Sequence, residues 1–336
     1  MVGRRRGEVN NRCPVRMGHL RYSFCCMVTL SEDEVKAQLD PERLITILED
    51  AFRTRYPETL IPVRTQMKVA AGIFLMMPCY DRNGRGLGMK LVMVVDNPAT
   101  PEQKLHATYL VLDPNTGHPV LSMPAAYLTD IRTAAISALA TRYLAREDAR
   151  VLGVFGTGRQ ARAHLKVLRL VRNFTSFLVS GLEPGYSREF AQEMAKELGA
   201  RVESVYSRAC AAESDVLCTC TTSQKPLFDG HLLRPGTHLN LVGAFQPHTR
   251  EVDDVTIQRS RVIVDTYEGV LAEAGDLLLP LKAGIILRSH ILADLHQLVS
   301  LKPIIRRHPD DITLFKSVGC ALEDLVAAEL VASARG

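Results

Sequence analysis

Residues 151–161, VLGVFGTGRQA, constrain the fold more than any other stretch of the chain. Val151 to Phe155 form a continuous apolar run of strand length. Gly156, Thr157 and Gly158 then predict a sharp turn. From Arg159 to Arg172 the apolar residues Ala161, Leu165 and Leu168 fall on one helical stripe. In a strand–turn–helix unit of this kind the first glycine permits the tight turn. The second lets backbone approach a pyrophosphate, and a small third residue, here Ala161, allows helix and strand to pack closely. The helix N-terminus presents free N–H groups and a positive dipole to phosphates. Gly156, Thr157, Gly158, Arg159 and Gln160 are therefore candidate contacts to a dinucleotide.

The context supports this reading. From residue 151 short apolar strands alternate with helical stretches, at 151–155, 176–180, 201–205, 215–220, 238–242 and 261–265. Such alternation predicts an α/β, Rossmann-type doubly wound sheet. An acid commonly ends the second strand and binds the ribose 2′-hydroxyl of NAD. Ser180 and Gly181 stand there instead. The absent carboxylate leans the cofactor toward NADPH over NADH, with Ser180 and Arg188 available to a 2′-phosphate. Glu183 remains an alternative acid, and Arg188 reads equally as a solvated helix residue.

The 336 residues suggest two domains. Upstream of the glycine loop, Ser31 before Glu32, Asp33 and Glu34 predicts a capped helical region over about 29–55. Stretches 62–77, 87–96 and 107–113, with the turn signals Asp81-Arg82-Asn83-Gly84 and Asp113-Pro114-Asn115-Thr116-Gly117, predict antiparallel strands. An Ala-rich helix is expected at about 130–146, and helix again from about 308. The reading is an α+β substrate-binding and dimerisation domain (28–147 and 308–336) into which a nucleotide domain (148–307) is inserted.

Hydrophobic residues make up 46% and charged residues 23%, and no apolar run approaches a membrane span of about 20 residues. Residues 1–26 hold six arginines against one acid, so the net charge of +4 falls by 5, to −1, without them. No nucleic-acid surface is implied. The basic stretch itself reads as a disordered extension, a transit peptide or an over-long start. The eight cysteines lack zinc-site spacing, and no metal is expected. Cys218 and Cys220 share one face of a strand as buried thiols, which suits a reducing cytoplasm.

The segment LTDIRTAA (128–135) is unusual. If Thr129 or Asp130 caps the helix, Arg132 falls in the first turn, where a cation opposes the dipole. That placement makes sense if an anion sits between Arg132 and the helix end. The alternative is an Arg reaching into solvent.

Together with FLMMPCY (74–80), LGMKLVMVVDNP (87–98), GTGRQA (156–161), LVGAFQPHTREVDD (241–254) and DITLFKSVGCALEDL (311–325), this segment resembles the ornithine cyclodeaminase/mu-crystallin family, in family order from about residue 28. The resemblance implies a homodimer and an NAD(P) cofactor. It implies a substrate carboxylate held by Arg64, Lys90 and Arg132. It places Thr221, Val242 and Gly243 at the ends of nucleotide-domain strands, and Lys316, Ser317 and Gly319 in a segment closing over the nicotinamide. Glu268 matches an acid near the ligand, and His106 lies near a polar position; a helix-start acid and a structural histidine are equal alternatives.

One departure narrows the chemistry. Ornithine cyclodeaminases carry an Asp acid/base where this chain has Phe245. A phenyl ring moves no proton but packs against an apolar heterocycle. The expected function is reduction of a small cyclic imino acid, Δ1-pyrroline-2-carboxylate or Δ1-piperideine-2-carboxylate, to L-proline or L-pipecolate. A lyase releasing ammonia from ornithine and a ligand-binding protein of the mu-crystallin kind are the alternatives.

Overall fold

A computed structural model describes residues 14–17, 20–23, 27–83 and 86–334. In the basic extension, β1 (Pro14–Met17) and β2 (Leu20–Ser23) pair antiparallel, so eight of its residues are paired as strands where disorder was expected. The rest of that expectation lies outside the described residues.

The first sheet is mostly antiparallel. Its strands are β3 (Val28–Thr29), β4 (Thr59–Leu60), β5 (Thr65–Val69), β6 (Gly72–Asp81), β7 (Leu87–Val95), β8 (Leu105–Leu112) and β9 (Pro119–Pro124). They run in the order β3-β9-β8-β7-β6-β4, with β5 also on β6 and with β3 parallel to β9. The expected strand 62–77 is in fact two strands in a hairpin. The expected helix 29–55 divides into α1 (Glu32–Gln38) and α2 (Pro41–Thr54), because Asp40 caps a second helix with Pro41 at its first position. Ser31 caps α1 as expected and forms a reciprocal capping box with Glu34.

Helix α3 spans Ala126–Leu144. It begins four residues earlier than the sequence reading had it, and Ala125, not Thr129 or Asp130, stands at its cap. Arg132 is therefore in the second turn, and the dipole argument for an anion beside it fails. Its neighbours Glu323 and Asp324 explain it instead.

The second sheet has eight parallel strands: β10 (Val151–Phe155), β11 (Ser176–Ser180), β12 (Val202–Ser204), β13 (Val216–Thr219), β14 (His238–Leu241), β15 (Ser260–Val264), β16 (Ile291–Asp294) and β17 (Ile312–Lys316). Helices intervene: α4 (Arg159–Val167), α5 (Pro184–Leu198), α6 (Ser207–Glu213), α7 (Asp254–Arg259), α8 (Tyr267–Glu273), α9 (Gly275–Lys282) and α10 (Leu295–Leu301). Every residue of β13, β14 and β17 is buried, so both sheet faces are covered, as a doubly wound sheet requires. The order is β12-β11-β10-β13-β14-β17-β15-β16. The chain leaves β10 toward β11 and returns to β13 on its other side, which opens a crevice at their carboxyl ends.

The stretch from 308 is not simply helical. Ile312–Lys316 is a strand between β14 and β15, and only then does α11 (Ala321–Ser333) return to the first sheet. The stretch ITLFK is apolar and short enough for either state, and its parallel neighbours decide it. Among the described residues no helix is long and apolar enough to cross a membrane.

An ion triad centred on Arg55 fastens this return. Arg55 donates to Asp81 at 2.9 Å and to both oxygens of Glu329 on α11, at 2.7 and 3.0 Å. Asp81 has no solvent exposure. Arg55→Leu strands that carboxylate and is expected to cost about 3–5 kcal/mol of stability, measured by urea unfolding. A loss below 1 kcal/mol, roughly the surface-pair value, would show the triad to be unimportant.

Candidate functional site

The turn after β10 is held by geometry. Gly156 has φ +111°, and a Cβ there would lie 2.5 Å from the Cys220 carbonyl oxygen. Its N–H donates to the Ser180 carbonyl, which fixes the loop to β11. A Cβ on Gly158, by contrast, meets nothing within 4 Å. The space before the N-terminus of α4 is open, and Ala161 behind it is fully buried. An open cradle on a helix N-terminus fits a pyrophosphate.

That cradle is one wall of a cavity of about 640 Å³. Thr157, Gly158, Arg159 and Gln160 line it together with Thr221, Val242 and Gly243. Phe245, Ser317 and Gly319 lie along it, and Arg64, Lys90 and Arg132 face it from the side of the first sheet and α3. Its lining includes Leu75, Met77, Val92 and Val94, so the cations sit in apolar surroundings. Most of the residues singled out in the sequence therefore meet in one place.

Others do not line the cavity. Gly156 lies beneath it as the turn residue. Ser180 is buried at the end of β11. Lys316 points away, donating to the Ala244 carbonyl at 2.6 Å and to Asp276 at 2.9 Å. Glu268 lines a separate, smaller cavity of about 330 Å³, which shares Arg64 and Gly319 with the first. His106 is exposed on β8 opposite Met93.

Lys90 and Arg132 are buried and Arg64 is half-buried, and each already has an acidic partner. Arg64 makes a two-point pair with Glu273, at 2.9 and 2.6 Å, and stacks over the Phe245 ring at 5.3 Å. Lys90 donates to Asp324 at 2.7 Å. Arg132 lies 2.5 Å from Glu323 and 2.9 Å from Asp324. These acids, in the first turn of α11, explain a cation inside α3. Burial and the neighbouring Arg132 push the Lys90 ammonium down to about 8, against the pull of Asp324.

Acids that the sequence reading passed over set the loops around the cavity. Glu251 accepts from the Thr219 and Thr221 hydroxyls and from the N–H groups of Thr221, Gly243 and Ala244. Burial, with Asp276 beside it, raises its carboxyl. Asp265 gathers the Ser317 hydroxyl and the N–H groups of Val318 and Gly319. Asp130 receives Arg159 at 2.8 Å and Gln160 at 3.1 Å, so those two side chains are tied to α3. Burial raises the Asp130 carboxyl, and Arg159 opposes the rise. No local spacing announces these contacts, since partners lie up to 54 residues apart. Among the described residues no group of three or more side chains could hold a metal ion.

A sequence model of the Ornithine cyclodeaminase/mu-crystallin family matches residues 26–334. The chain belongs to that family. It is similar to a Delta(1)-pyrroline-2-carboxylate reductase of Bacillus cereus, at 32% identity over 90% of this chain and 95% of that protein. It is 34% identical to the ketimine reductase mu-crystallin of Rattus norvegicus, over 90% of this chain and 95% of the other. Among solved structures it resembles the Thermococcus litoralis Delta(1)-pyrroline-2-carboxylate reductase in complex with NADH and L-proline. There the TM-score is 0.88 at 36% identity, covering 91% of this chain and 97% of that one. The α/β fold with its parallel nucleotide sheet is thus a family fold.

Two glycines of one loop are expected to fail differently. Gly158→Asp directs its side chain into open space, so the melting temperature should hold while dinucleotide affinity falls about 100-fold or more by charge repulsion. Gly156→Ala should lower the melting temperature itself, because its Cβ meets backbone at a positive φ. Cofactor fluorescence and thermal melts read both; unchanged affinity in Gly158→Asp would move the nucleotide site elsewhere.

Proposed function

We propose that this chain is an NAD(P)H-dependent reductase of a cyclic ketimine carboxylate, Δ1-pyrroline-2-carboxylate or Δ1-piperideine-2-carboxylate, giving L-proline or L-pipecolate. The observation that carries the reading is the shared cavity: a dinucleotide cradle on one side, three cations on the other, and Phe245 against Arg64. The reductases among its relatives support it.

In this reading Arg64 and Arg132 fix the plane of the substrate carboxylate and Lys90 adds a point charge. Phe245, Met77 and Val92 give the ring an apolar wall that excludes water. When bound, the nicotinamide supplies the hydride. The hydride pair joins the iminium carbon, the C=N π pair becomes the nitrogen lone pair, and the proton already on nitrogen stays there. No acid is needed at the ring. The acid among the described lining residues, Asp130, is engaged with Arg159. Positioning then supplies most of the catalysis. NADPH is the preferred donor, since no carboxylate ends β11. The free buried cysteines suit a reducing cytoplasm.

The decisive assay sets cofactor oxidation with pyrroline-2-carboxylate beside ammonia release from ornithine, on one preparation. Stoichiometric oxidation without ammonia is expected, with NADPH above NADH in kcat/KM. General acid–base help typically worth about 10²–10⁴-fold is missing for the lyase path. Ammonia release without imine reduction would restore the cyclodeaminase reading. Tight binding of a small apolar acid with neither activity would favour the binding-protein reading.

The protein is further proposed to work as a homodimer. Met67, Phe74, Met76, Leu91 and Met93 share the face of the first sheet opposite the core residues Leu75, Met77 and Val92. Helix α11 packs against β6 and β7 with that core. A second copy would cover the apolar outer face. Leu91→Glu should give a folded monomer by light scattering; a dimer of unchanged mass would place the interface elsewhere.

A further inference from the structure

The clamp offered to a carboxylate is electrically neutral before any ligand arrives. Lys90 and Arg132 face Asp324 and Glu323, and Arg64 faces Glu273. None of the six side chains is more than 8% exposed. A bound anion therefore adds one uncompensated negative charge to a low-dielectric cluster, which is costly unless a neighbour changes its charge or moves.

Movement is blocked at α11. Glu323 and Asp324 have no solvent exposure, and Glu323 Oε1 accepts the Cys320 N–H at 3.2 Å, as part of the helix cap. Swinging Glu323 outward would break that cap and strand Arg132. The charged and titratable groups around it are Arg132 on α3, Lys90 on β7, Asp324 and the Cys320 thiol on its own helix segment, and Asp265 at the end of β15. Arg132 alone among the cations touches it, and two carboxylates oppose its charge.

We propose that Glu323 takes up a proton when a carboxylate binds at Arg132, and that it is thereby the positioning residue that sets the pH window of substrate affinity. The proposal rests on the reductase reading only in requiring an anion at the clamp. Solvent supplies the proton, Glu323 becomes a neutral acid, and Arg132 exchanges an internal anion for the ligand. Burial, with Asp265 and Asp324, holds this carboxyl up to about 7 against the pull of Arg132. The sign follows. Below pH 7 Glu323 is already neutral, and affinity does not vary with its titration. Above pH 7 each ligand must bring a proton with it, and affinity falls up to about tenfold per pH unit. Lys90, held down to about 8, adds a separate loss at still higher pH.

The test is calorimetric titration of the cofactor-loaded protein with pyrrole-2-carboxylate, a planar ring carboxylate whose nitrogen does not titrate near neutrality. Phosphate and Tris buffers, with different ionisation enthalpies, report the protons taken up. At about pH 7.5, uptake approaching about one proton is expected in the parent chain and almost none in E323Q. Uptake that persists in E323Q would overturn the assignment to Glu323. Should E323Q not fold, the parent chain decides alone: a dissociation constant that stays flat from about pH 6 to about pH 8 refutes the proposal. Failure of the parent to bind the carboxylate at any pH is a different result, and it removes the clamp and the reductase reading with it.

Discussion

The ion quartet of Lys90, Arg132, Glu323 and Asp324 is the interaction on which the rest of this molecule depends. It joins three distant parts of the chain: a strand of the first sheet, the long helix that leads into the nucleotide sheet, and the helix that returns from it. Buried pairs of this kind contribute little net stability, because desolvation offsets attraction. Their value is in register. Asp324 Oδ1 lies between Lys90 and Arg132, so neither cation can move without the other. The cation-bearing wall of the cavity is thereby held together.

The same logic recurs around the crevice. Glu251 collects the ends of β13 and β14, Asp265 collects the segment after β17, and Asp276 links Glu251 backbone to Lys316. Each acid is interior, and each binds loop backbone or a side chain that holds loop backbone. Loops at the carboxyl ends of parallel strands carry function and are prone to motion. Here carboxylates fix them around the cavity.

Much of this was legible in the sequence. The glycine turn, the small residue at Ala161 and the alternating strands announced the nucleotide sheet through local spacing. Phe245 was legible as a departure only against a family pattern. What escaped was long-range. Arg132 looked like a helix-terminus cation because Thr129 and Asp130 resemble caps, whereas Thr129 donates back to the Ala125 carbonyl inside the helix. Lys316 looked like a cofactor contact, but its partner Asp276 is buried behind the loop. Glu268 fell into the neighbouring cavity because α8 begins at Tyr267, under a Thr266 cap. Arg132 and Lys316 were read without their partners, and Glu323 lies 191 residues from Arg132.

The position of β17 has a consequence for how the chain reaches its fold. It lies between β14 and β15, yet it is made last, with β15 and β16 synthesised before it. During synthesis the sheet therefore exists as two pieces, β10 to β14 and β15 with β16, each presenting an unpaired inner edge. The pieces join only when Ile312–Lys316 has left the ribosome. Open parallel edges of apolar sequence invite wrong partners, and pairing over such separations is slow. The growing chain thus passes through a stage with an assembled glycine loop, a half-built crevice and no quartet. Chaperone demand should concentrate in that interval, just before the last strand closes the gap.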